Sequence, residues 1–373
     1  MMLQLSYTHN TRRIKMKKVL RKCLKWICFF SIFAVVFLLI QELFQAKWLV
    51  DVKDNTASTS TFMEYRDLEE NTVDVIFIGT SHVLYGIDPM HIYEETGVTS
   101  YVFGGPGLRM DLTYLTLKDA LKTQSPKVIM LDASGLHYAK QQAEGRAHKF
   151  VDNLPLTKEK IEYAFNNGND ELTALSVIFP FVRYHDRWST VNEYDFRYMV
   201  GALDQTYLRG HHISYAQVPV TLDFQKTKDN FEIAERNLDY FDRIVKLCEE
   251  KGVSLVVYKT PTPDWNITWS SAAEKASGER GIPYWELYYE LEDIGLDFAT
   301  DFCDETDHLN QHGAEKLSIY ITEHLREQYG LADHRGEYIR WDNDLKEYHE
   351  YLKKAWDTRF EAPAFEAEEV QEE

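Results

Sequence analysis

Residues 75–78 read Val-Ile-Phe-Ile, apolar on four consecutive positions, and run directly into Gly79-Thr-Ser-His82. A strand that wets one face alternates apolar and polar residues. One that is apolar throughout is buried on both faces, the situation of a central strand in a parallel sheet covered by helices. Gly79 permits a sharp change of direction. Ser81 then falls at the strand's carboxyl end, the edge at which open α/β sheets bind ligands. Taken alone, a serine there is better explained as the cap of the next helix.

The same alternation recurs along the chain. Asp88 to Gly97 has an acidic cap, Pro89 at the first helical position and a glycine stop. Val98 to Phe103 is a second strand ending in Gly104-Gly-Pro-Gly107, and Lys127 to Asp132 a third ending in Ala133-Ser-Gly135. Phe231, Ala234, Leu238, Phe241, Val245 and Cys248 recur every three or four residues, a helical stripe that Gly252 closes. Val253 to Tyr258, followed by Lys259-Thr-Pro261, is a fourth strand and Gly281 to Trp285 a fifth. Gln311 to Tyr329 reads as a closing helix, and Trp341, Leu345, Tyr348, Leu352 and Trp356 as one face of another. Strand–helix alternation predicts an α/β fold with a parallel sheet.

The flanks set the domain organisation. Of the 41 Lys and Arg, eight fall in residues 1–25, which hold no acid, so all 60 Asp and Glu lie beyond them. Trp26 to Ile40 carries no charge. We expect residues 1–25 to be a basic cytoplasmic segment and 26–44 an uncleaved transmembrane signal anchor in the lipid bilayer, with the rest of the chain extracytoplasmic at the cell membrane; a cleaved signal peptide and a buried core helix are the alternatives. Residues 45–71, with the run Thr56-Ala-Ser-Thr-Ser-Thr61, read as a stalk. The α/β domain spans 72–330, interrupted at about 140–228 by a largely helical, aromatic-rich insertion lying over the sheet's active edge. Residues 331–373 form an acidic extension, partly disordered. So acidic a body is a poor match for nucleic acid. Cys248 and Cys303 are expected to be buried free thiols, and no Cys/His spacing suggests a metal. The His211-His212 pair reads as an exposed loop.

If the sheet is parallel, the loops after all its strands gather on one edge. Serine-based acyl transfer needs a serine, an imidazole, an orienting acid and amide donors for the oxyanion. Ser81, His308, an acid near it and the loop of Gly105 and Gly107 supply these types. In Gly79-Thr-Ser81-His and Asp307-His308-Leu-Asn-x-x-Gly-Ala-x-Lys316 the chain resembles the SGNH/GDSL hydrolases over about residues 73–330. More narrowly, it resembles the membrane-anchored Firmicute branch related to the teichoic acid D-alanine transfer protein and to alginate O-acetylation proteins, in which Tyr184-His-Asp-Arg-Trp188 also recurs. The resemblance implies a three-layer, flavodoxin-like sheet of order 2-1-3-4-5, Ser81 as nucleophile, His308 as base and no cofactor. A membrane-bound O-acyltransferase is the implied partner.

Two departures stand out. The family's acid usually sits three residues before the histidine, here Glu305; Asp304 lies four before and Asp307 one before. Asp304 is favoured, because a loop accommodates a one-residue bulge. The family's Gly-x-Asn-Asp block, whose Asn serves the oxyanion, is missing after the third strand, and losing such a donor costs about 3 kcal/mol. Ser134 is the candidate substitute beside the amides of Ser81, Gly105 and Gly107. Tyr184, His185, Arg187 and Trp188 are candidate contacts for a sugar or acyl donor, with packing of the insertion as the alternative. The function expected is an extracytoplasmic esterase or O-acyltransferase acting on a cell-surface polysaccharide or teichoic-acid-like polymer. A catalytically silent scaffold for the acyltransferase is the alternative, and an anchored sugar receptor a weaker one.

Overall fold

The computed structural model describes residues 2–47, 58–138, 144–167, 171–201, 205–221, 223–225, 227, 231–304 and 308–358. The chain divides into two units, Met1–Lys47 with Asp170–Leu203, and Trp48–Asn169 with Asp204–Glu373.

The larger unit holds five parallel strands: β1 Val75–Gly79, β2 Ser100–Gly104, β3 Val128–Asp132, β4 Ser254–Lys259 and β5 Tyr284–Glu286. Their spatial order is 2-1-3-4-5, the doubly wound, flavodoxin-like arrangement. β1 and β3 are buried at every position, which is why their sequences carry no alternation. On one face Val75, Phe77, Val128, Met130 and Val256 pack against Ile92 of the helix Pro89–Thr96 and Leu317, Ile321 and Leu325 of the helix Gln311–Tyr329. Each such side chain contributes roughly 1.5–3 kcal/mol when buried. Side chains alternate along a strand, so Tyr101 and Phe103 turn to the opposite face. There the ring of Tyr65 lies 4.8 Å from each.

Tyr65 corrects the stalk. Ser58–Asp67 is a helix, with Phe62 and Tyr65 buried, and Leu68 is buried just beyond it. Its Ser/Thr-rich start resembles a linker, but Phe62, Tyr65 and Leu68 recur at a spacing of three, the signal of a packed face. The helix Glu235–Lys251 also sits rotated from the expected stripe. Its buried residues include Asn237, Tyr240, Phe241, Ile244, Leu247 and Cys248, whereas Leu238 and Val245 lie at the margin. Asn237 is buried with its Nδ2 donating to Leu136 O and Tyr138 O, and Tyr240 buries a largely apolar ring, neither of which hydropathy alone registers. Gly252 closes this helix in the left-handed conformation, as expected. Neither Cys248 nor Cys303 is in a disulfide; Cys248 is buried and its thiol pushed up to about 12 by burial and by Glu249, whereas Cys303 is only half-buried, with Sγ 3.5 Å from Leu309 O.

The insertion is three pieces, not one helical body. Helices Glu144–Val151 and Lys158–Asn167 belong to the larger unit, where Phe150 meets Phe62 and Glu162 pairs with Arg243. The middle piece belongs to the other unit. Residues 205–221 form an extended strap without helix. Arg209 O accepts from Val102 N on the outer edge of β2, closing part of an otherwise open strand edge. The strap continues through His212 N to Leu84 O, Ser214 O to Gln311 N, and Val218 N to Phe302 O. His211 is therefore not exposed: it is buried, with Nδ1 3.1 Å from Leu84 O and Nε2 3.0 Å from Gln311 Oε1. The extension after 330 includes the expected helix, Ile339–Thr358, with Trp341 and Tyr348 buried. The acidic end from residue 359 lies outside the described residues.

The second unit is built on the helix Met2–Phe44. Its segment Met16–Phe44, whose most apolar 18 residues have mean hydropathy 2.5, is long and apolar enough to cross a membrane. At 1.5 Å per residue that segment reaches roughly 40 Å, against about 30 Å of hydrocarbon. Short helices from 171 to 199 pack on its carboxyl-terminal turns, with Phe179 on Phe37 and Phe181 on Phe44. Gln41 Oε1 accepts from Phe181 N at 2.7 Å.

Candidate active site

β1 ends at Gly79, where a Cβ would lie 2.3 Å from Asp132 Cβ, so only glycine allows β1 and β3 this close. Thr80 takes the cap position, without a side-chain cap bond, and Ser81 is the first residue of the helix Ser81–Gly86. The serine is thus not the cap. Its Oγ lies 2.8 Å from His308 Nε2. His308 Nδ1 lies 2.5 Å from Asp304 Oδ2, and His308 N donates to Asp304 Oδ1 at 3.2 Å. Asp304 is the acid that meets the imidazole; Glu305 and Asp307 lie outside the described residues. The Tyr85 ring packs 4.5 Å from that of His308, and His212 from the strap packs 4.7 Å from Tyr85.

The rest of the last motif positions this histidine. Phe302 and Leu309 form an antiparallel bridge, and Cys303 N donates to His308 O at 2.9 Å. Asn310 caps the helix Gln311–Tyr329 through Gly313 N, while its Nδ2 donates to Ala216 O and Thr300 O. Gly313 cannot carry a side chain, because a Cβ would meet Asp301 O at 2.5 Å. Lys316 pairs with Asp301 at 2.7 Å.

Under Ser81 lies a buried polar cluster that sequence reasoning missed. Asp132 Oδ2 accepts from Thr80 N at 3.1 Å and from Thr80 Oγ1 at 2.5 Å, and Asp132 Oδ1 accepts from Ser134 N and Oγ. His82 Nδ1 lies 3.1 Å from both Thr80 Oγ1 and Lys259 Nζ, and 3.2 Å from Ser134 Oγ. Asp132 and Lys259 are both fully buried. Burial alone would push the Asp132 carboxyl up. The Lys259 charge, His82 and the Thr80 and Ser134 hydrogen bonds outweigh it and hold the group below its ordinary value. Asp132 and Lys259 close β3 and β4, and Thr80 and His82 follow β1; a charged residue ending an otherwise apolar strand was the available signal.

The sign of that shift fixes a pH prediction. A depressed carboxyl stabilises the fold above its unfolded value, roughly 4, and loses that contribution as pH falls through the lower folded value. Lys259→Met removes the main cause and leaves a buried carboxylate, at a cost of about 3–5 kcal/mol. Acid unfolding followed by circular dichroism is expected to begin at higher pH in this variant. An unmoved acid midpoint would reject the pairing.

The cluster also revises the oxyanion candidates. Ser134 is buried and committed to Asp132, and Gly105 N donates to Gly79 O at 3.2 Å. The amides of Ser81 and Gly107 remain. Tyr184, His185, Arg187 and Trp188 belong to the unit of the long helix. Arg187 donates to Phe44 O and Gln45 O at 2.8 Å each and to Asp195 at 3.1 and 3.2 Å. It caps that helix, so its donors are not directed to a substrate. Tyr184 is buried and Trp188 exposed. Among the described residues, the one group whose ligand atoms approach within 4.8 Å is His91, Glu94 and Glu95, on the surface helix Pro89–Thr96, and Glu94 already bonds His349 Nε2 at 3.0 Å.

No family model matches this chain, and no curated protein matches it. Among solved structures it is similar to a Bacteroides fragilis protein provisionally described as an acylhydrolase. Identity is 9%, the TM-score 0.35, and the match covers 71% of this chain and 94% of that one. It is similar to a Parabacteroides merdae protein provisionally described as a GDSL-like lipase, with 11% identity, TM-score 0.32 and coverage of 71% and 99%. A third match, from Streptococcus pneumonia, is provisionally described as a platelet activating factor, with 14% identity, TM-score 0.30 and coverage of 72% and 92%. The strand order, not these loose superpositions, assigns the architecture: a doubly wound α/β sheet carrying serine, histidine and aspartate at its carboxyl edge.

Proposed function

We propose that the chain is a serine esterase or O-acyltransferase acting through an acyl-Ser81 intermediate on a cell-surface polysaccharide or teichoic-acid-like polymer. The hydrogen-bonded sequence Ser81, His308, Asp304 carries this reading. His308 Nε2 takes the Ser81 proton as Oγ attacks the ester carbonyl, and Asp304 holds Nδ1–H and offsets the imidazolium charge. The amides of Ser81 and Gly107 face the oxyanion. The imidazolium returns its proton to the departing alcohol oxygen, leaving acyl-Ser81. Water or a sugar hydroxyl then gives its proton to His308, accepts the acyl group and frees Ser81.

In this reading the apolar helix is a retained anchor with the basic segment in the cytoplasm, and a membrane-bound O-acyltransferase supplies or receives the acyl group. One observation favours a second reading, a silent scaffold for that acyltransferase: Ser134, the candidate third oxyanion donor, is committed to Asp132. Labelling of the full chain in detergent with a fluorophosphonate separates the two. Labelling that is lost in Ser81→Ala, together with hydrolysis of a small acetyl ester, is the expected result. Absent labelling would leave the scaffold.

A further inference from the structure

In a sheet of order 2-1-3-4-5 the chain reverses direction between β1 and β3, and the loops after these strands open a crevice at their carboxyl ends. Ser81 stands on one side of it. The short helix Ser134–His137 stands on the other, in touch with the first loop through Ser134 Oγ and His82 Nδ1 at 3.2 Å.

His137 is held there from several directions. Its ring stacks on Trp269 at 4.2 Å, lies 4.2 Å from Tyr138, and meets Trp265 edge-on at 5.9 Å. The Arg109 guanidinium covers Tyr138 at 3.6 Å. Asn237 Nδ2 donates to the flanking carbonyls of Leu136 and Tyr138, at 3.0 and 2.8 Å. His137 Nδ1 lies 2.9 Å from Ser134 O. A carbonyl only accepts, so Nδ1 carries the proton and Nε2 presents a lone pair. Among the described residues no group bonds Nε2, although the ring is half-buried.

We propose that His137 recognises the alcohol side of the ester, its Nε2 accepting a hydrogen bond from a hydroxyl of an uncharged sugar or polyol in the crevice between the ends of β1 and β3. This rests on the acyl-Ser81 reading and names the chemistry that reading leaves open. Burial pushes the His137 imidazole down to about 4, opposed by the Ser134 carbonyl, and Lys259, Asp132 and His82 all act on it. At neutral pH it is an uncharged acceptor. A phosphate or carboxylate oxygen has no proton to give it, whereas a hydroxyl has. The rigid setting means that little is lost in ordering the residue when the hydroxyl arrives.

The test compares methyl 6-O-acetyl-glucopyranoside with tetrahydropyranylmethyl acetate, the same ester and ring without hydroxyls, using the full chain in detergent. Wild type is expected to prefer the glucoside in kcat/KM. His137→Phe, which keeps a ring between Trp269 and Tyr138, is expected to lower that preference about tenfold, the upper range for one neutral hydrogen bond. His137→Gln, with a carbonyl acceptor, restores it to within about threefold. A wild type indifferent to the hydroxyls, or a preference unmoved by His137→Phe, overturns the proposal. Binding of the glucoside to Ser81→Ala, read by tryptophan fluorescence, is a second measurement that needs no turnover. Binding weakened about tenfold by the added His137→Phe change supports the proposal even if wild type hydrolyses neither ester, a result that would sink the catalytic reading alone. Equal binding, or none, overturns the proposal.

Discussion

Ser81→Ala and His308→Ala are each expected to lower kcat for ester turnover by about 10⁶-fold, and Asp304→Asn by about 10⁴-fold. The difference follows from the geometry. In the proposed mechanism Ser81 forms the bond and His308 moves the proton, so removing either ends the covalent route. Asp304 holds His308 Nδ1 at 2.5 Å and the His308 amide at 3.2 Å, and its loss frees the ring to turn or take the other tautomer. Because the three act as one unit, the Ser81→Ala/His308→Ala double variant is expected to be no slower than either single one. Losses that multiply would show that Ser81 and His308 act separately. Steady-state kinetics with a small acetyl ester suffices, with circular dichroism to show that each variant is folded.

The second large effect concerns stability. Arg209 is fully buried, 2.5 Å from Glu64 Oε1 and 2.5 Å from Asp344 Oδ2, with its guanidinium 4.6 Å over Trp341. It ties the strap to the helices Ser58–Asp67 and Ile339–Thr358. Arg209 also holds a left-handed backbone, φ +51°, a conformation that persists in a non-glycine residue only where surroundings fix it. Arg209→Ala strands two carboxylates in a closed site and is expected to cost about 3–5 kcal/mol in urea unfolding. Replacing all three by Met, Leu and Leu is expected to recover most of that, since apolar contacts need no desolvation of charge. A triple variant as unstable as Arg209→Ala would mean that the strap depends on these charges themselves.

The meeting of Ser81, His308 and Asp304 was legible because the serine and histidine sit in short local patterns at a strand's end and before a helix. The parallel sheet was legible for a different reason: strands buried on both faces lose their alternation. The order 2-1-3-4-5 came only with the resemblance to the SGNH/GDSL hydrolases. The polar cluster was not legible, because Asp132, Lys259 and His82 come from the ends of three strands and acquire partners only when β1, β3 and β4 align. The strap was invisible for lack of any period. Its hydrogen bonds run from backbone to Leu84, Val102, Phe302 and Gln311, and backbone pairing leaves little trace in side-chain identity. Ser134 was assigned by position rather than partners, and the structure spends its hydroxyl on Asp132.

Arg187 has a meaning for the life history of the chain. The carbonyls it caps belong to Phe44 and Gln45, and Phe179 and Phe181 rest on Phe37 and Phe44. A cut near residue 45 would bare two phenylalanines and take the two carbonyl partners from Arg187, leaving it Asp195. Within the second unit the leading helix is a packing partner of the short helices between residues 171 and 199, which rest on its last turns.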